Sequence, residues 1–112
     1  MPAAIEKIVS EYAKDIQKLL GKDLCRIVMY GSYARGDQTE NSDIDLMILV
    51  ETPEEEIRIL AEKVSDRAFD YLMKYGIHIS PVIKNETHFN YWVDNLPYYR
   101  NVRDEGVVIH EG

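Results

Sequence analysis

Apolar residues recur at helical spacing in the first part of the chain. Ile5, Ile8, Val9, Tyr12, Ile16, Leu19 and Leu20 share one face at 3.6 residues per turn, which predicts an amphipathic helix over residues 3–20. Gly21 supplies its stop. The pattern then changes. Residues 24–30 are apolar with little polar interruption, as expected of a strand in the middle of a sheet. A polar, turn-rich stretch, residues 31–42, leads to a second strand over residues 43–50, whose Leu46-Met47-Ile48-Leu49-Val50 asks for burial on both faces. Thr52-Pro53-Glu54-Glu55 reads as a helix start, with Thr52 as cap, Pro53 in the first turn and Glu55 completing a capping box. Ile57, Leu60, Ala61, Val64, Ala68, Tyr71, Leu72 and Tyr75 carry the apolar stripe of that helix to its stop at Gly76.

Residues 77–83 read as a third strand, in which Pro81 points to an edge position or a bulge. Asn85 is placed to cap a short helix through Phe89, Trp92 and Val93. Pro97 opens another, Gly106 ends it, and Val107-Val108-Ile109 can form a last short strand. This order predicts an α/β (α+β) domain, a small mixed sheet with flanking helices, spanning residues 1–112 as one unit.

Composition narrows the functional classes. At 112 residues, one core around one sheet is the expectation. No apolar run approaches the ~20 residues of a membrane span, and the first residues lack the basic-then-apolar pattern of a secretory signal. Cys25 is the single cysteine, so no intrachain disulfide is available and a reducing, cytoplasmic setting is expected. The net charge of −7 argues against a sequence-independent nucleic-acid binder, which needs a basic face to displace counterions from phosphates.

The candidate chemistry lies around the polar turn. In Gly31-Ser32-Tyr33-Ala34-Arg35-Gly36, Gly31 permits a sharp turn and a close backbone approach to a ligand. Ser32 is placed to cap a short helix over Tyr33–Arg35 whose open N–H groups attract an anion such as phosphate. Arg35 can add charge. Asp43 and Asp45 are two residues apart at a strand start, so strand alternation points both carboxylates to one face. Two bare carboxylates there repel, and the pair makes most sense around a divalent cation, Mg²⁺ or alternatively Mn²⁺. The connection between the first two strands is too short for a parallel crossover, so antiparallel pairing brings the phosphate-type turn beside the acid pair. That is the layout of a two-metal phosphoryl or nucleotidyl transfer site.

Gly31-Ser32, ten residues, then Asp43-Ile44-Asp45 resembles the signature of the DNA polymerase β-like nucleotidyltransferase superfamily. The string from Gly31 to Ile48 is similar to its minimal branch, the MNT proteins. The resemblance implies a nucleoside triphosphate, ATP first among them, bound with Mg²⁺. Ser32 would hold the β- and γ-phosphates, and Asp43 and Asp45 the metal. A nucleophile would attack the α-phosphorus and release pyrophosphate. Many MNT proteins are antitoxins paired with a HEPN-domain protein, and some transfer AMP to a tyrosine of that toxin. The alternative is an MNT-fold antitoxin that acts by binding its partner.

One position departs from that family. A third carboxylate usually comes from the next strand. The helix before that strand is long enough for a parallel crossover, so the start of the third strand should lie beside Asp43 and Asp45. The candidates there are Ile77, His78, Ile79 and Ser80, with His78 and Ser80 on one face, and none is an acid. His78 stands where relatives often carry an Asp. A neutral imidazole can bind a metal or accept a proton but prefers softer ions than Mg²⁺.

Other features have plainer readings. The acids of residues 51–56 suit a helix start. Arg35 has two open readings, a phosphate contact or a salt bridge with Asp37 or Glu40. His88 and His110 lack partners at ligand spacing, and Met29 and Met47 read as core. Tyr91, Trp92, Tyr98 and Tyr99 fit packing of the C-terminal helices, with a partner surface as the second reading. Tyr30 and Tyr33 flank the turn.

Overall fold

A computed structural model describes residues 2–112. Helix α1 (Ala3–Leu20) is followed by a single 3-10 turn (Gly21–Asp23) and strand β1 (Leu24–Tyr30). The short helix α2 (Ser32–Arg35) leads to β2 (Ile44–Val50), α3 (Glu54–Tyr75) and β3 (Ile79–Asn85). Helices α4 (Glu86–Trp92) and α5 (Pro97–Glu105) and strand β4 (Val107–Glu111) complete the chain. The sheet order is β3-β2-β1-β4. β1 pairs antiparallel with β2 and with β4, and β2 pairs parallel with β3 across the α3 crossover. The expected mixed sheet with flanking helices is therefore the fold, and Pro81 sits on an edge strand, where its missing N–H costs no ladder bond.

Alternation along β2 divides the interior. Ile44, Leu46, Ile48 and Val50 point to one face and pack with Val9, Tyr12 and Ile16 of α1 and Val64, Ala68 and Tyr71 of α3. Met47 and Leu49 point to the other face, with Val28, Phe89, Tyr99 and Val102 under α4 and α5. Leu46 through Val50 are all 0% exposed, as a central strand covered on both faces requires. The Tyr12 hydroxyl donates to the Val64 carbonyl at 2.8 Å, tying α1 to α3 and satisfying a phenol that burial would otherwise penalise.

Three local expectations shift. The capping box at the start of α3 does not form. Pro53 is the N-cap, no side chain caps the helix, and Thr52 Oγ1 is buried without a partner. Instead Asn85 Nδ2 donates to the Thr52 carbonyl at 2.9 Å, holding Thr52 outside the helix. The third strand starts at Ile79, not 77, because Gly76 closes α3 in a left-handed conformation and the next two residues bring the chain back to the sheet. The second strand starts at Ile44, one residue after Asp43. Asn85 does cap α4, its side chain accepting from the His88 N–H at 2.9 Å. No helix among the described residues is long and apolar enough to cross a membrane.

Candidate active site

The site is built where β1 ends and β2 begins. Gly31 (φ 77°, ψ −155°) is a conformation L residues rarely adopt, and it turns the chain directly from β1 into α2. Gly31, not Ser32, is the N-cap, and Ser32 is the first helical residue. No side chain caps α2, so the Ser32 hydroxyl is not consumed in closing its own helix. Gly36, also left-handed, ends the turn through its N–H to the Ser32 carbonyl at 2.9 Å. Gly31 lies directly against the Asp45 carboxylate: a Cβ at that position would overlap Asp45 Oδ2. The close approach expected toward a ligand is, in the structure, an approach to the Asp45 carboxylate.

The register explains the rest of the arrangement. Tyr30 pairs with Asp45, and Asp45 with Ser80, so the three residues form a row across β1, β2 and β3. Alternation places this row on the face that carries Met47 and Leu49 farther along. Asp43, just before the strand, falls beside His78, because the Ile44 N–H donates to the His78 carbonyl at 2.9 Å. The His78 ring completes the contact, with Nδ1 and Asp43 Oδ1 2.7 Å apart. A carboxylate only accepts, so Nδ1 carries the hydrogen of this contact.

Electrostatics mark Asp45 as the unsettled group. Partial burial pushes its pKa above the ordinary 3.8, and the neighbouring Asp43 charge pushes it further up, while Arg35 and His78 partly offset both. Burial, and next the hydrogen bond to Tyr98, raise the pKa of Tyr30. The Tyr30 and Tyr98 hydroxyls are 2.7 Å apart, which fixes the first turn of α5 beside the row. Arg35 is held in exposed ion pairs with Asp37 at 3.1 Å and Glu105 at 3.4 Å.

The structure therefore brings Gly31, Ser32, Asp43, Asp45, His78 and Ser80 to one end of the sheet. Arg35 stands at the rim, and its partners are Asp37 and Glu105, with Glu40 not among them. His88 is a packing residue: Nδ1 meets the Tyr99 hydroxyl at 3.2 Å, and Nε2 faces Glu54 at 3.6 Å. His110 lies on edge strand β4. The C-terminal aromatics split. Tyr99 is buried against Phe89, whereas Tyr91 is 72% exposed and Tyr98 43%. Sequence reasoning missed Tyr98 and Glu105 as neighbours of the site. Their signal was weak but present, since Tyr98, Val102 and Glu105 share one face of α5 at i, i+4 and i+7.

The chain and its fold have known counterparts. The sequence profile of the family described as nucleotidyltransferase domain matches residues 7–102. A provisionally named protein adenylyltransferase from Methanocaldococcus jannaschii is 40% identical over 98 residues, covering 85% of this chain and 94% of that protein. A crystal structure from Sulfolobus solfataricus, provisionally named a nucleotidyltransferase, superposes with a TM-score of 0.57 at 17% identity, covering 95% of this chain and 79% of that one. A chain in the crystal structure of a toxin–antitoxin with AMP-PNP superposes with a TM-score of 0.60 at 17% identity, covering 92% and 73%. The two structural likenesses speak for the fold, and the profile and the 40% relative speak for kinship. With a turn-and-acid-pair site on that fold, this chain belongs to the nucleotidyltransferase domain family, among its minimal members.

Proposed function

We propose that this chain, acting as one domain, transfers AMP from ATP to a hydroxyl group of a partner protein, and that a HEPN-domain toxin is that partner. The observation that carries the reading is the contact between Gly31 and Asp45, which joins an anion-accepting turn to a pair of carboxylates. Ser32 and the open N–H groups of α2 hold the β- and γ-phosphates, and Arg35 exchanges an exposed carboxylate partner for phosphate. The name of the Methanocaldococcus jannaschii relative supports adenylyl transfer to protein, and the toxin–antitoxin structure with AMP-PNP supports the partner.

The side chains suit Mg²⁺. Asp43 and Asp45 offer hard oxygens on one face, and their mutual repulsion is what a cation relieves. Among the described residues no three His, Cys, Asp or Glu side chains gather into a ready-made cage. Mg²⁺ takes one or two carboxylates and draws its other ligands from phosphates and water, so two are enough to hold it. Bound there, it would neutralise phosphate charge and activate the attacking hydroxyl. Mn²⁺ has the same ligand chemistry. His78 keeps the Asp43 carboxylate in place through its Nδ1 hydrogen.

A second reading follows from His78. A histidine bound to Asp43, where the family resemblance leads one to expect a third acid, favours a protein that keeps the nucleotide site but neutralises its partner by contact. Incubation of the chain and a HEPN-domain partner with α-labelled ATP and Mg²⁺ separates the two. Label on the partner that disappears in Asp43→Ala and Asp45→Ala supports the enzyme. Neutralisation that survives both substitutions without any label supports the binding protein.

A further inference from the structure

Asp45 stands in the middle of a row. Tyr30 on β1 and Ser80 on β3 are its partners in the ladder, one on either side. Neighbouring strands lie about 4.8 Å apart, so side chains of one row on one face can reach the same small ion. Ser80 is on the Asp45 face. Ile79 and Ile83 point the other way, into the core under α1 and α3, and alternation turns Ser80 away from them. On the β1 side of the row the Tyr30 hydroxyl is already paired with that of Tyr98 at 2.7 Å. On the β3 side the half-buried Ser80 places a hydroxyl next to the acid.

We propose that the Ser80 hydroxyl is the third side-chain oxygen of this site and joins Asp43 and Asp45 in holding the cation. The inference rests on the metal-dependent reading above and adds a residue to it, in the place of one of the waters. His78 is the other polar side chain at the entry to β3, and the structure uses it differently. Its Nδ1 lies 2.7 Å from Asp43 Oδ1, so the ring braces the outer acid. A hard cation also prefers oxygen to imidazole nitrogen. A serine hydroxyl is such an oxygen, and serine or threonine has this role on Mg²⁺ at phosphate-binding loops.

Serine differs from an acid at the same place in two ways. It adds no charge, so Asp45 is raised by one like-charged neighbour, Asp43, and not by two. It is also no base at neutral pH, so it positions the cation without taking the acceptor's proton. Two charges and one neutral oxygen hold a bare cation loosely and leave the rest of its shell to phosphate and water.

The test reads binding of Mn²⁺ alone to the full chain by electron paramagnetic resonance. No nucleotide is present, so the outcome does not depend on transfer. The proteins are the wild type, Ser80→Ala, Ser80→Asp and the double variant Ser80→Asp/Asp45→Ala. Ser10→Asp, on the exposed side of α1, controls for added charge. Circular dichroism checks each fold. Ser80→Ala should weaken Mn²⁺ binding by about threefold or more, and Ser80→Asp should tighten it by about tenfold or more relative to both wild type and Ser10→Asp. The gain should vanish in the double variant. Equal affinity in Ser80→Ala and wild type would overturn the proposal. So would a gain in Ser80→Asp no larger than that in Ser10→Asp, a gain that survives the loss of Asp45, or Mn²⁺ binding that appears only once the acid is introduced. If Mn²⁺ binding depends on Ser80 as expected while α-labelled ATP gives no transfer by the wild type, the transfer reading fails and the Ser80 assignment stands.

Discussion

The two ends of β2 are built to opposite specifications. From Leu46 to Val50 every side chain is fully buried and apolar, and helices cover both faces. At the other end Asp43 is exposed, Asp45 is half-buried, and the two carboxylates sit close enough to raise the proton affinity of Asp45. One short stretch of chain therefore runs from two partly solvated acids to a fully buried apolar end. The buried end makes the strand immovable, and that rigidity keeps two repelling acids in place for a ligand that relieves them.

Substitutions can break this contrast from either end. The largest effect is expected at the buried end. Ile48→Ala should cost about 2–5 kcal/mol in chemical denaturation, through lost burial and the cavity left behind. A cost below about 1 kcal/mol would show that the core end is not the anchor. Gly31→Ala comes next, because it combines a positive φ with a methyl group placed on the Asp45 carboxylate. It should destabilise by roughly 1–3 kcal/mol and abolish ATP binding, since relief requires the turn or Asp45 to move. Normal ATP affinity in a folded Gly31→Ala protein would separate the turn from the acid pair.

His78→Asp probes the third corner. If the imidazole only approximates an acid, the substitution should raise AMP transfer or metal affinity by about tenfold, equivalent to ~1.4 kcal/mol. If His78 is needed to hold Asp43, both should fall. No change in either would remove His78 from the site. The smallest effect concerns Asp45→Asn. The folded-state pKa of Asp45 is raised, so the native state binds the proton more tightly than the unfolded chain does. Stability is thus lost as pH rises above the ordinary 3.8 and through the raised value, and the full penalty is present at neutral pH. Removing the charge should raise Tm on the order of 2 °C at pH 7, a small figure because solvent screens a partly exposed group. The gain should shrink as pH falls toward the carboxylate range. Mg²⁺ should reverse the order, stabilising the wild type and not the variant. A variant less stable than wild type at pH 7 without Mg²⁺ would contradict the repulsion.

Much of this was legible in the sequence where one physical demand dominated. The apolar stripes of α1 and α3 and the unbroken strand in β2 have one way to be buried. The turn length forced the antiparallel pairing, and the α3 crossover forced the parallel one. Topology placed residues 77–80 beside the acid pair and the family resemblance pointed to His78 among them, despite a two-residue error in where β3 begins, because register and not strand length sets that neighbour. What local pattern misjudged was contacts made by residues distant in sequence. Thr52 has the right spacing to cap α3, but its Oγ1 has no partner, and Asn85, far along the chain, donates to its carbonyl. Arg35 had acids nearby in sequence, yet one of its two partners is Glu105 on α5, which only the fold brings near. Such contacts carry no short-range signal.

The central claim is that the Gly31-Ser32 turn and the Asp43/Asp45 pair form one site for a triphosphate and its metal. Equilibrium binding of ATP with and without Mg²⁺, to the wild type and to the Asp43→Ala/Asp45→Ala double variant, tests it most directly. The account predicts Mg²⁺-dependent ATP binding by the wild type and a loss of at least about tenfold in the double variant, which keeps the same fold by circular dichroism. Equal affinity in the two proteins, or wild-type binding that is indifferent to Mg²⁺, would contradict it.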